Sequence, residues 1–483
     1  MILARCLFLL ALLPILARAE PNTVLPHSVV AALKSAGIPQ AHVGVVVWEA
    51  GQPEPMLSHK AQSSFNPASV MKLLTTYAGL DLLGPAYTWK TDIFAEGPVD
   101  EGVLKGNLYF KGYGDPSLTL ERFWLLLREL KLRGIREIRG DVILDASFFP
   151  ADLPDPGRFD GDPRRAYNAP PSALLVNFNA ASLRLTAEGD RLIVSLDPLP
   201  VPLLLDNQIK SDAGRCNDWR DHLSVDYQAG NGPLRLVLAG SYALACGEKS
   251  AAINLGDPLD TTAGLFRALW GEQGGKLAGT VRPGVVPGDA SLVMRFESPP
   301  LADVLRSINK WSNNVMARQL FLTLGAERSG APARLEKSVV VVRDWLKSKG
   351  IDASGIVLEN GAGLSRIERI QPINLATLMQ AAWRSPVFAE LESSLPIVAV
   401  DGTMETRLRD GEVAGHAHIK TGTLANAKNL AGYLFDRHGR RWIVVFFIND
   451  LKAEGGTAAQ DALLEWVYQG AGSKAVGQQL LNN

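Results

Sequence analysis

The chain has 483 residues, with 49 Lys and Arg against 50 Asp and Glu for a formal charge of −1 at pH 7, and 47% hydrophobic residues. That length supplies two or three domains with full cores, and a balanced charge without a basic run excludes nucleic acid as an expected partner. Beyond a short apolar run at the start, no stretch of about 18 uncharged apolar residues occurs, so no transmembrane anchor is expected.

Residues 1–19 read as a removable export signal: one Arg5, an apolar run over 6–16, and Ala17-Arg18-Ala19 as a small-x-small cleavage site. Export to an oxidising compartment leaves Cys216 and Cys246 as an even pair, and a disulfide between them is expected. It would close a loop of about thirty residues and contribute roughly 3.5 kcal/mol on the chain-entropy estimate.

The β-branched run over 41–50 predicts a central strand. A helix follows, with Asn66 as N-cap, Pro67 at the first helical position, apolar Val70, Leu73, Leu74 and Tyr77 on one face, and Gly84-Pro85 as the stop. This places Ser69 in the first turn and Lys72 one turn further along the same face. From 93 to 291 the pattern changes to short strands, turns and Pro/Gly-rich joints, which reads as an insertion. Strand-rich portions at 182–196 and 234–244, with both remaining cysteines, suggest a further nested unit. The expected division is 20–92 with 292–483 as one domain, 93–173 with 253–291 as an inserted domain, and 174–252 as the nested one.

Helices are expected again at 301–311, 315–324 and 334–349, then strands at 416–424, 430–435 and 442–448 with a polar Asp436-Arg437-His438-Gly439 turn, and a last helix at 458–468. Without the insertion, both chain ends build one mainly antiparallel sheet with helices between them, an α/β (α+β) architecture.

Three motifs stand in order along this frame: Ser69-Val70-Met71-Lys72, Ser312-Asn313-Asn314 and Lys420-Thr421-Gly422-Thr423. Decoys exist, since Ser307 to Lys310 repeats the first pattern and Ser64 to Asn66 the second, but only Ser69 has a helix-start context followed by the other two. A serine hydroxyl needs a base within reach and donors for the developing oxyanion. Lys72 is placed to be that base, with burial and the charge of Lys420 lowering its pKa. Ser312 is read as relaying a proton to the leaving amine, and Asn314 as bonding the substrate amide and Lys72. Lys420 and Thr421 suit a substrate carboxylate, Gly422 permits close backbone approach, and the N–H groups of Ser69 and Thr423 would form the oxyanion hole. His416 and His418 share a strand face but lack a third ligand, so no metal and no cofactor is expected.

The motif set resembles the serine penicillin-binding protein and β-lactamase superfamily. More narrowly, the chain looks like the class C low-molecular-mass D-alanyl-D-alanine carboxypeptidase/endopeptidases (peptidase S13). That match rests on the large insertion, on Asn360-Gly361-Ala362-Gly363-Leu364-Ser365-Arg366 and on Asp401-Gly402-Thr403-Met404. The resemblance implies a transpeptidase-like fold with strand-rich inserted domains, hydrolysis of D-Ala-D-Ala bonds and of D-Ala to diaminopimelate cross-links in peptidoglycan stem peptides, and β-lactams as covalent inhibitors. It also implies Asp162, Tyr167 and Arg366 as contacts for the diaminopimelate side chain. The export signal, and a tail over 469–483 without a basic amphipathic pattern, point to a soluble periplasmic enzyme, with a homodimer left open. Two departures stand out: Asn313 where relatives carry an acidic residue, and the small Ala425. The alternatives are a serine β-lactamase, against which the absence of E-x-x-L-N counts, and a hydrolase of non-wall peptides or esters on the same fold.

Overall fold

A computed structural model describes residues 23–150, 155–228 and 234–471. The expected export signal lies outside the described residues. No helix among the described residues is long and apolar enough to cross a membrane.

The central sheet has five strands in the order Ala417–Leu424, Ala427–Phe435, Arg441–Asn449, Val43–Glu49 and Leu57–His59, every neighbour antiparallel. It joins the two chain ends. Strands covered on both faces read as unbroken apolar runs rather than alternating ones, and Arg441–Asn449 is buried at every position but its first and last. On one face pack His27–Ser35 and Thr457–Tyr468, with Val29, Leu33, Leu463 and Val467 against Val45 and Val444. On the other face Lys72–Leu83, Leu301–Lys310, Asn314–Ser329, Leu335–Ser348 and Pro372–Trp383 enclose a second core around Tyr77, Phe321, Trp345 and Phe447.

The chain leaves this body along Lys90–Ala95 and returns along Ser291–Glu297, and these two strands pair antiparallel. They belong to a mixed five-stranded sheet completed by Leu108–Gly112, Val142–Asp145 and Val281–Pro283. Two long helices, Leu120–Leu132 and Pro258–Glu272, pack on it through Phe123, Leu127 and Phe266. This corrects the reading of 93–291 as short strands and turns. The first helix carries a clear signal, a Thr119 cap with Phe123, Leu126, Leu127 and Leu130 on one face, which the surrounding Pro/Gly joints obscured. Within the insertion, Ala180–Glu188 pairs with Arg191–Asp197 and Glu248–Asn254, and a second three-stranded sheet joins Leu204–Asp212, Arg235–Ala243 and Leu223–Gln228.

Cys216 and Cys246 are bonded, as expected, with Cys246 in the small core around Leu185 and Tyr242. Replacing both by Ser should lower stability by up to roughly 3.5 kcal/mol while acylation by penicillin stays unchanged. Paired urea melts and labelling assays check this.

Candidate active site

The nucleophile motif is not in the first turn of an α-helix. A 3-10 turn, Ala68–Met71, precedes the α-helix Lys72–Leu83. Pro67, rather than the expected Asn66, is the N-cap of this turn, and Asn66 Oδ1 accepts from Ala68 N at 2.9 Å just ahead of it. Ala68 is held at φ 47°, a left-handed conformation that costs a non-glycine residue energy and must be imposed by its surroundings. Those surroundings are visible. Asn449 Oδ1 accepts from Asn66 N at 2.6 Å, Asn429 Nδ2 donates to Asn66 O at 2.9 Å, and Asn66 Nδ2 donates to Ser365 O at 2.9 Å. Sheet and loop together therefore clamp the turn that presents Ser69. The decoy Ser64 to Asn66 is part of this clamp.

Lys72 is fully buried. Its Nζ donates to Ser69 Oγ at 3.0 Å, Asn314 Oδ1 at 2.5 Å and the Ala362 carbonyl at 2.5 Å. Burial first, then the cations of Lys420 and Arg318, hold its pKa well below the usual lysine range, with Glu368 opposing. Such an amine can take a proton at neutral pH.

The middle motif joins two helices. Ser312 sits at φ 56° between Leu301–Lys310 and Asn314–Ser329. Asn313 Oδ1 caps the second helix by accepting from Met316 N at 3.0 Å. An acidic side chain caps equally well, so this departure from the usual pattern leaves the geometry intact. Asn314, in the first turn, reaches Lys72. The decoy Lys310 is occupied elsewhere, donating to the Leu395 carbonyl and pairing with Asp401.

Lys420, also fully buried, lies on the edge strand Ala417–Leu424 with Nζ 2.9 Å from Ser312 Oγ and 2.7 Å from the Thr421 carbonyl. Burial lowers its pKa to about 7. Thr421 Oγ1 is 2.8 Å from Thr403 Oγ1, so the Asp401-Gly402-Thr403 turn borders the strand. At Gly422 an added Cβ would lie 2.8 Å from Ser69 N and 2.9 Å from Val70 N. Only glycine lets the strand run this close to the nucleophile turn, where Thr423 follows, exposed.

The residues expected to reach the site from the insertion are not among the hydrogen-bond partners of Ser69, Lys72, Ser312 or Lys420. Asp162 accepts from Arg164 and Arg165. Tyr167 Oη donates to Asp160 Oδ2 at 2.7 Å, which makes Asp160 the acid that holds the tyrosine. The segment is nevertheless tied to the site, because Arg318, one turn beyond Asn314, donates to the carbonyls of Tyr167 and Ala169 at 2.6 and 3.1 Å. Arg366 stacks over Phe159 at 4.7 Å and lines a cleft of about 180 Å³ with Arg158, Glu359 and Asn360. His418 meets the Glu392 carbonyl and His416 the Tyr468 ring. Sequence reasoning missed Arg318 and Glu368, neither of which belongs to a motif.

Comparison with known proteins gives consistent neighbours. The chain is 29% identical to a D-alanyl-D-alanine carboxypeptidase of Actinomadura sp., covering 94% of this chain and 86% of that one. It is 27% identical to the D-alanyl-D-alanine carboxypeptidase DacB of Haemophilus influenzae, covering 85% of each. The crystal structure of penicillin binding protein 4 from Haemophilus influenzae shares the fold, with a TM-score of 0.78 at 24% identity over 91% of this chain and 99% of that one. The same protein has been solved with a β-lactam, TM-score 0.73 at 23% identity over 91% and 99%. Residues 25–469 match the D-Ala-D-Ala carboxypeptidase 3 (S13) family, and the chain therefore belongs to that family of serine-type peptidases.

Proposed function

We propose that this peptidase is exported to the periplasm and is both a D,D-carboxypeptidase and a D,D-endopeptidase, acting on peptidoglycan stem peptides through an acyl-enzyme at Ser69, and that β-lactams acylate the same serine. The observation that carries this reading is the pairing of two buried lysines with two serines, Lys72 with Ser69 and Lys420 with Ser312. Lys72 Nζ takes the Ser69 proton as Oγ bonds to the D-Ala carbonyl carbon. The C–N bond then breaks, and the leaving amine receives a proton through Ser312. Water attacks the resulting ester and restores Ser69. Ser69 N and Thr423 N hold the oxyanion, Lys420 and Thr421 the terminal carboxylate, and Asn314 the substrate amide. Asp162, Tyr167 and Arg366 belong to the proposal as contacts for the diaminopimelate side chain. The crystal structure of the Haemophilus influenzae relative with a β-lactam supports the inhibitor assignment by analogy of fold.

The pKa of about 7 at Lys420 gives a pH test. A cation that binds carboxylate is lost as pH rises through that value, so kcat/KM for a D-Ala-D-Ala peptide should decline above pH about 7, approaching tenfold per unit. Lys420→Ala, which has no cation to lose, should be slow at every pH and lack that alkaline limb. A wild-type profile that is level from pH 7 to 9 would remove Lys420 from carboxylate binding.

A further inference from the structure

Glu368 is fully buried and lies outside all three motifs. Its Oε1 accepts from the backbone N–H groups of Glu359 at 3.0 Å, Asn360 at 2.9 Å and Gly361 at 3.0 Å. Its Oε2 is buried without a hydrogen-bond partner among the described residues. The segment it gathers meets the nucleophile elements at three successive residues. Gly361 O accepts from Thr75 Oγ1 at 2.6 Å, Ala362 O accepts from Lys72 Nζ at 2.5 Å, and Gly363 lies against the Ala68 carbonyl. An amide side chain of the same shape could gather the same three N–H groups, and a buried carboxylate is the more expensive choice. The charge needs its own account.

Charged groups face this carboxylate from three elements: Lys72 from the nucleophile helix, Arg318 from the Asn314–Ser329 helix, and Glu359 from its own loop. Burial raises the Glu368 pKa, the three N–H donors lower it, and Glu359 raises it. Lys72 in turn is faced by Lys420 from the edge strand, by Arg318 and by Glu368. Glu368 is the one acidic group among those neighbours, and its carboxylate form raises the pKa of Lys72 and of Arg318.

We propose that Glu368 is a positioning residue for acyl transfer: it pins the 359–363 segment so that the Ala362 carbonyl fixes Lys72 Nζ beside Ser69, and its charge offsets the two cations around that amine. The inference rests on the reading of Lys72 as the base for Ser69. Both parts can be separated on the full chain with fluorescent penicillin, by measuring the second-order acylation rate from pH 5 to 10 and confirming the fold by thermal melting.

Glu368→Ala frees the segment and should slow acylation by about a hundredfold, the usual consequence of misplacing a reacting group by about an ångström. Glu368→Gln keeps the Oε1 acceptor and should restore most of that rate. Its acid limb should move to lower pH than in the wild type, because the amine has lost the charge that favours its protonated form. Rescue by Gln with an unmoved limb would overturn the electrostatic part. Wild-type rate and profile in Glu368→Ala would overturn the whole. If Glu368→Ala does not fold, the Glu368→Gln profile still decides the charge. Ser69→Ala is the control: a wild-type chain that takes no label, or a Ser69→Ala variant that does, sinks the acyl-serine reading itself and is distinguishable from a failure at Glu368.

Discussion

Lys72→Ala is expected to lower the rate of Ser69 acylation by about 10²- to 10⁴-fold, the range over which a positioned base contributes. The reason is local. Lys72 is the only amine within hydrogen-bond distance of Ser69 Oγ among the described residues, and its burial leaves it neutral often enough to accept a proton. Lys420, the other buried lysine, is bonded to Ser312 and Thr421 and is not placed to substitute. Lys72→Arg should not rescue the rate, because a guanidinium stays protonated and needs more volume than the site gives to a side chain with no exposed surface. Labelling with fluorescent penicillin at equal folded concentration, established by circular dichroism, measures the effect. An Arg variant acylated at the wild-type rate would show that a positive charge, rather than a base, is what the position supplies.

Gly363→Ala is expected to reduce acylation by at least a hundredfold and to cost about 2–4 kcal/mol of stability, although it adds one methyl group. Gly363 sits at φ +80°, and a Cβ there would fall 1.8 Å from the Ala68 carbonyl oxygen and 2.8 Å from Ser69 N. The obstacle is backbone rather than a flexible side chain, so the nucleophile turn has to shift. That turn already holds Ala68 in a left-handed conformation. Gly350 separates strain from collision, since its φ is +72° and nothing lies within 4 Å of a Cβ placed there. Gly350→Ala should cost only about 1 kcal/mol and leave acylation unchanged. Comparing both variants by urea melts and labelling rate tests the point, and equal effects at both positions would mean that backbone strain alone is being read.

How far the sequence carried the site depended on whether chemistry or tertiary contact dictates each residue. Ser69, Lys72, Ser312, Asn314 and Lys420 were legible because acyl transfer needs a serine, a base and a cation for the carboxylate, and because their motifs stand in the order of the family that the chain resembles; the structure brings them together. The decoy Ser307 to Lys310 falls on motif order alone, but what occupies its lysine was not legible: the ion pair with Asp401 comes from a residue 91 positions away. The left-handed Ala68 was not legible either. Alanine carries no turn signal, and the conformation is imposed by Asn449, Asn429 and Gly363, all distant in sequence. Glu368 reads as an ordinary charged residue in a polar loop, and only burial under three N–H donors distinguishes it. In the fold, Val43–Glu49 and Arg441–Asn449 were plain from their unbroken apolar runs, whereas the short strand Leu57–His59 was not expected. Leu120–Leu132 was missed although its helical spacing is regular, because the Pro/Gly-rich joints around it dominated the reading. The loop contacts were not legible either: the sequence offers several acids near Tyr167, and the fold pairs the tyrosine with Asp160.

The most direct measurement is digestion of purified, cross-linked, diaminopimelate-type muropeptides by the purified protein, with products weighed by mass spectrometry and Ser69→Ala run in parallel. Loss of terminal D-Ala together with conversion of dimers to monomers, both absent from the Ser69→Ala reaction, is the predicted result. Intact muropeptides after prolonged incubation with a wild-type enzyme that binds penicillin covalently, or equal cleavage by the Ser69→Ala variant, would contradict it.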